Sequence, residues 1–193
     1  MKIILAPDKF KNSLTGLAFC TIVNETITSK FANAEVVKLP LADGGDGTIE
    51  VVNYYLQGET VNLTVNNPFF QPINATYLYS NLLKTAFIEM AEASGVKLLT
   101  QENFDCKNAT TFGTGEMILD AITKGAKKII LGIGGSATND CGIGMATALG
   151  YKFLDENNKE VKTIGANLSK IKFIDSSQKH HLLSNVTFQI ACD

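Results

Sequence analysis

Lys128-Ile129-Ile130-Leu131-Gly132-Ile133-Gly134-Gly135-Ser136-Ala137-Thr138-Asn139-Asp140 is the stretch on which the reading of this chain turns. Its opening apolar run predicts a buried strand. Residues 142–149 beyond it predict a short helix closed by Gly150. A glycine turn therefore leaves a strand and leads toward a helix, carrying Ser136, Thr138, Asn139 and Asp140. Glycine permits positive φ and close backbone approach, and N–H groups at a helix N-terminus attract anions. The polar side chains beside them suit ligand hydroxyls or a magnesium ion. A capped turn needs one or two such residues; the continuous block exceeds that need.

Working outward, residues 2–6 predict a strand, 14–31 an amphipathic helix and 35–41 a second strand. This β-α-β start calls for a parallel sheet, with ligands at the carboxyl ends of its strands. Asp8 and Asp43 stand at two such ends. Ala42-Asp43-Gly44-Gly45-Asp46-Gly47-Thr48 is a second glycine loop, again leading to a helix (49–56), and it suits a backbone nest for an anion. Residues 60–65 and 73–79 alternate apolar and polar as strands do. Residues 84–90 predict another strand, in which Glu89 is either an edge-facing surface residue or a site carboxylate. Residues 110–116 form a third glycine loop before a helix at 117–124, with Thr111 or Thr114 as cap and Glu116 in its first turn. Residues 151–161 read as a hairpin, the adjacent His180 and His181 as exposed structural residues, and 186–191 as a last strand ending at Asp193.

Length and composition narrow the chemistry. The chain has 193 residues, 45% of them apolar, and a net charge of −2; this is one large domain or two small ones, without the basic footprint of a nucleic-acid binder. It contains no arginine, so all 17 basic residues are lysines and no bidentate guanidinium clamp on phosphate is available. Cys20, Cys106, Cys141 and Cys192 are scattered, without metal or redox spacing. No run reaches membrane-spanning length, no signal peptide is legible, and cytoplasm is the expected location. Glycine loops beside strand-terminal aspartates suit phosphoryl transfer, where the protein positions groups and neutralises charge. The P-loop pattern is absent. Gly132-x-Gly134-x-x-Ala137, with Asp155 downstream, formally fits a dinucleotide fingerprint, which leaves a nicotinamide-dependent enzyme as a rival reading.

Five stretches resemble the bacterial glycerate kinases, which phosphorylate D-glycerate with ATP. Residues 6–14 (APDKFKNSL) are similar to the family's APDSFKGSL, residues 42–48 (ADGGDGT) to ADGGEGT, and residues 113–116 to GTGE. Residues 132–140 match GIGGSATND, and residues 191–193 match ACD. Lys9, Asn12 and Asp46 replace Ser, Gly and Glu of that pattern, and Cys141 stands where Gly is common.

The resemblance implies two α/β lobes: a Rossmann-like domain, incomplete here, over 1–65 and a second mixed α/β domain over 66–193. The whole would correspond to an N-terminal half. It implies ATP and Mg²⁺ as cofactors and glycerate as the small-molecule partner, with a homodimer or a C-terminal half completing the structure. Asp8, Lys11, Ser13, Asp43, Gly44, Gly45, Thr114, Glu116, Ser136, Thr138, Asn139, Asp140 and Asp193 are implied to face the cleft between the lobes. Asp8 or Asp193 is the implied base or metal ligand, Lys11 a charge partner, and the loops containing Gly44, Gly45 and Gly47 and Gly134 and Gly135 the anion cradles. No metal-ligand set is fixed. An inactive anion-binding fragment is the alternative.

Overall fold

The computed structural model describes residues 1–10 and 13–192. The chain opens with β1 (Lys2–Leu5), α1 (Gly16–Lys30) and β2 (Glu35–Lys38). The two strands pair in parallel, Lys2 opposite Glu35, as the β-α-β pattern requires. α1 starts where the Thr15 hydroxyl accepts the Ala18 N–H at 3.1 Å, satisfying one of the orphan donors of the first turn. Its buried anchor is Cys20, set against the Leu5 carbonyl. β2 stops short of the expected residue 41 because Pro40 has no N–H to give. The chain nonetheless runs on beside its neighbour, Leu39 N donating to Leu5 O and Leu41 N to Pro7 O.

After α2 (Thr48–Leu56) come β3 (Glu59–Asn66), β4 (Pro72–Ser80), β5 (Thr85–Glu89), α3 (Ala91–Ser94), α4 (Phe112–Thr123) and β6 (Lys128–Gly132). α5 (Ile143–Ala148), β7 (Lys152–Leu154), β8 (Phe173–Asp175) and β9 (Thr187–Ala191) complete the set. A mixed sheet runs in the order β3-β4-β5-β6-β9, antiparallel through β5 and parallel beyond it. β3 pairs along its length with β4, from Glu59 opposite Tyr79 to Asn66 opposite Pro72. Residues 59–65 therefore hydrogen-bond into this sheet and not with β1 and β2. The alternation in 60–65 announced a strand, but its partner is a matter of pairing that sequence period does not encode.

α4 covers the sheet. Met117, Ile118 and Ala121 of α4 are fully buried against Tyr77, Ala86 and Ile129; each large apolar side chain so buried contributes about 1.5–3 kcal/mol. α4 begins at Phe112, not at the expected 117, so Gly113 and Gly115 are helical. A Cβ on Gly113 would strike the Asn66 carbonyl, and one on Gly115 the Met145 carbonyl. These glycines let α4 seat between β3 and α5; they are not turn residues. The expected hairpin at 151–161 closes as a turn, with Asp155 N on Lys159 O and Val161 N on Phe153 O, but the strand partner of β7 is β8. His181 is exposed, whereas His180 is half-buried and stacks on it at 4.8 Å.

Candidate active-site cleft

The carboxyl ends of β5, β6 and β9 are level, with Glu89, Gly132 and Ala191 in one row. The glycine loop that follows β2 lies across them. Gly134 N donates to Gly44 O at 3.2 Å, and Ile133 N to Ala191 O at 3.3 Å. Gly44 has φ +89, where a Cβ would strike the Ala191 carbonyl, and a Cβ on Gly132 would strike Gly44 O. One on Gly134 would lie 2.6 Å from the Gly45 Cα. The two glycine-rich loops thus meet backbone on backbone, a separation only glycine allows. In Gly44, Gly132 and Gly134 the close approach expected toward a ligand is an approach of loop to loop.

Beside this junction opens a cleft of about 910 Å³. Its lining takes Asp8, Lys9 and Ser13 from the loop after β1, Asp43, Gly45, Asp46 and Gly47 from the loop after β2, and Gly134 and Gly135 from the loop after β6. Lys9 Nζ reaches Asp43 Oδ1 at 3.4 Å and the Asp46 carbonyl at 3.1 Å. The Gly45 N–H, donated to Asp43 Oδ1 at 2.8 Å, with Lys9 nearby, holds the Asp43 carboxyl below its ordinary range. Asp46 Oδ1 lies 3.5 Å from Lys97 Nζ, which also pairs with Glu92.

Glu89 stands outside this lining, 4% exposed, and accepts the Ile49 N–H at 2.7 Å. This bond decides the alternative left open in the sequence: Glu89 neither faces solvent nor lines the cleft, but caps α2. Burial pushes its carboxyl up, against the pull of Ile49 N–H and Lys97. The nest expected around 44–47 is therefore largely filled by the chain's own groups. Gly45 N goes to Asp43, Gly44 N to the Thr48 hydroxyl and Ile49 N to Glu89.

The glycerate kinase family model matches residues 3–193. The chain belongs to the glycerate kinase family. It is 42% identical to the glycerate 2-kinase of Escherichia coli K12, covering 100% of this chain and 51% of that one. It is 42% identical to the glycerate kinase of Bacillus subtilis 168, at 100% and 50%. A crystal structure of a candidate glycerate kinase 2 from Salmonella typhimurium LT2 superposes with a TM-score of 0.88 at 40% identity, covering 100% of this chain and 52% of that one. The chain spans about half the length of the curated relatives it matches.

The rival dinucleotide reading is corrected by both the family and the geometry. That fingerprint places a helix N-terminus directly at its glycines, whereas α5 begins only at Ile143, well past Ala137. Asp155, the ribose candidate, serves its own turn by accepting Asn157 N and Lys159 N.

Of the residues marked in the sequence of this family member, Asp8, Ser13, Asp43, Gly45, Gly47, Gly134 and Gly135 line the cleft. Lys11 and Asp193 lie outside the described residues. Gly44 is buried, outside the lining. Thr114 is fully buried and bonded to Ser94 Oγ at 2.8 Å. Glu116 faces Asn66, accepting its backbone and side-chain N–H groups at 2.7 and 3.0 Å. Asp140, 1% exposed, accepts from Thr111 N and Oγ1, Gly142 N and Gly144 N. It thereby ties the starts of α4 and α5 together, and the carboxylate is spent inside the fold. Ser136 and Thr138 bond each other at 2.9 Å, while Ala137 N and Val96 N staple their loop to residues 94–96; neither they nor Asn139 line the cleft.

Sequence reasoning missed Lys9, Asp46 and Lys97. Lys9 and Asp46 were visible as departures from the family pattern. Lys97 gave no signal, because only the fold brings it to Asp46. Among the described residues no helix is long and apolar enough to cross a membrane.

Proposed function

We propose that this chain serves transfer of the ATP γ-phosphoryl group to a hydroxyl of D-glycerate, giving phosphoglycerate and ADP. The observation that carries this reading is the cleft itself. Two glycine loops of a glycerate kinase family chain converge on it at the carboxyl ends of strands from both sheets, with Asp8 and Asp43 at its lining. Asp8 is the described candidate to take the proton of the acceptor hydroxyl, and Ser13 and Gly135, both in the cleft lining, are proposed to orient ligand oxygens. Lys11 and Asp193 are proposed for charge pairing and for base or metal ligation.

Among the described residues no three His, Cys, Asp or Glu side chains are gathered into a metal cage. A magnesium ion carried on nucleotide phosphates needs only one or two protein carboxylates, and Asp8, Asp43 and Asp46 line the cleft, so the residues fit such an ion. It would neutralise charge on the phosphoryl oxygens. A cytoplasmic location, where ATP is at hand, goes with this reading. We also propose that the unit break lies between α2 and β3, where the strand pairing changes.

A second reading, binding of an anion without turnover until another copy or another segment completes the site, is favoured by exposed apolar groups beside the cleft. Leu41, in the cleft lining, is 54% exposed, and Ile190, two residues before the lining Cys192, is 56% exposed. The test is ADP release by the 193-residue chain with ATP, magnesium and D-glycerate. A rate that requires glycerate supports the kinase reading. A folded chain that binds ligand without releasing ADP supports the second.

A further inference from the structure

We propose that Lys9 is a ligand-binding cation of the cleft, releasing Asp43 to take an oxyanion of the ligand, either the carboxylate of the hydroxy acid or a phosphoryl group. The proposal rests on the cleft being the ligand site. The charged side chains among the described residues of its lining are Asp8, Lys9, Asp43, Asp46 and Glu50. Lys9 is the one cation in that set, and the chain has no arginine to replace it. An anion entering a cleft with four carboxylates needs a positive group, and ammonium on a flexible stem is a mobile one.

The position of the ammonium is built in by the neighbouring loop. A Cβ on Gly45 would lie 2.7 Å from Lys9 Nζ, so the side chain fills the room that glycine leaves and reaches from the loop after β1 to the loop after β2. Two exposed contacts hold it there, the Asp46 carbonyl at 3.1 Å and Asp43 Oδ1 at 3.4 Å, and both must break when it moves to a ligand. The 3.4 Å pair with Asp43 is about a third exposed on each side, and ion pairs of that kind contribute little. Asp43 also accepts the Gly45 N–H at 2.8 Å, a second partner that stays bonded to the carboxylate in the proposed step when the lysine leaves.

The test is calorimetric titration of the wild-type chain and of Lys9→Ser, Lys9→Gln and Lys9→Arg, with D-glycerate in one arm and ADP in the other, at low and high salt. Lys9→Ser and Lys9→Gln should weaken binding in the arm that Lys9 serves by about 10-fold or more, the worth of one charge-assisted bond. Lys9→Arg should retain it, and the loss should shrink with salt. The arm affected tells carboxylate from phosphoryl. Unchanged affinity in folded Lys9→Ser or Lys9→Gln overturns the proposal, and so does a wild-type chain that binds neither probe. Lys9-dependent binding without ADP release leaves this inference standing while the kinase reading of the chain alone falls.

Discussion

Replacing Asp140 tests whether its carboxylate belongs to the fold or to the ligand. One oxygen accepts Thr111 N at 2.8 Å, Thr111 Oγ1 at 2.9 Å and Gly144 N at 3.1 Å; the other accepts Gly142 N at 3.1 Å. Asp140→Ala leaves three backbone N–H groups without that acceptor, two of them in buried bonds. At about 1–3 kcal/mol for each buried donor orphaned, the loss is about 3–5 kcal/mol. This is a large part of a typical domain stability of about 5–15 kcal/mol. For a chain of this size, at about 2–4 °C per kcal/mol, it lowers the melting temperature by roughly 6–20 °C.

Asp140→Asn behaves differently. Its carbonyl oxygen can keep the three bonds made by one carboxylate oxygen, while its NH₂ faces the Gly142 N–H and loses the fourth. The expected cost is about 1–2 kcal/mol. Urea unfolding of both variants, followed by circular dichroism, measures the pair. An Asp140→Ala protein within about 0.5 kcal/mol of wild type would refute the structural role and return Asp140 to the list of ligand contacts.

Three more outcomes follow from the same geometry. Gly134→Ala puts a methyl group 2.6 Å from the Gly45 Cα, backbone that cannot swing aside, and should cost about 1–3 kcal/mol in thermal unfolding. Glu89 has a folded pKa raised by burial, so its contribution is fully present below the ordinary glutamate value and is lost as pH rises through the folded value. Glu89→Gln keeps an acceptor for Ile49 N–H, so the stability of wild type relative to Glu89→Gln should fall as pH rises past the ordinary glutamate value, and a flat difference would count against a buried ionisable Glu89. Cys141 sits at φ 52, where a side chain costs about 1–2 kcal/mol, while glycine returns part of that through the entropy of the unfolded chain. Cys141→Gly should therefore raise the denaturation midpoint slightly, and a drop would show that the thiol packs productively.

The chain's element types were largely legible without coordinates. The β-α-β start, the β3–β4 alternation and the apolar run of β6 follow from hydrophobic period, because burial of one face or two sets that period locally. The family was legible in the residues that match its motifs. The division of labour within those motifs was not. Glycine before a helix looks the same in sequence whether it admits a phosphate, as the nest reading supposed, or another backbone, as Gly44 and Gly134 do, or a helix, as Gly115 does.

Acidic and hydroxyl residues are ambiguous in the same way. Asp140 and Glu116 carry the residue types of a ligand site, yet each satisfies an N–H group distant in the chain: Asp140 that of Thr111, 29 residues away, and Glu116 that of Asn66, 50 residues away. Lys9 meets the Asp46 carbonyl and Lys97 the Asp46 carboxylate only because the loop after β2 folds across the ends of β5, β6 and β9. By itself the sequence determined the type of most segments, since local pattern fixes strand and helix, though it set the start of α4 five residues late. The tertiary structure alone decided which polar groups remain for a ligand, because a backbone donor must be paired when it is buried, and its partner comes from whatever the fold brings alongside.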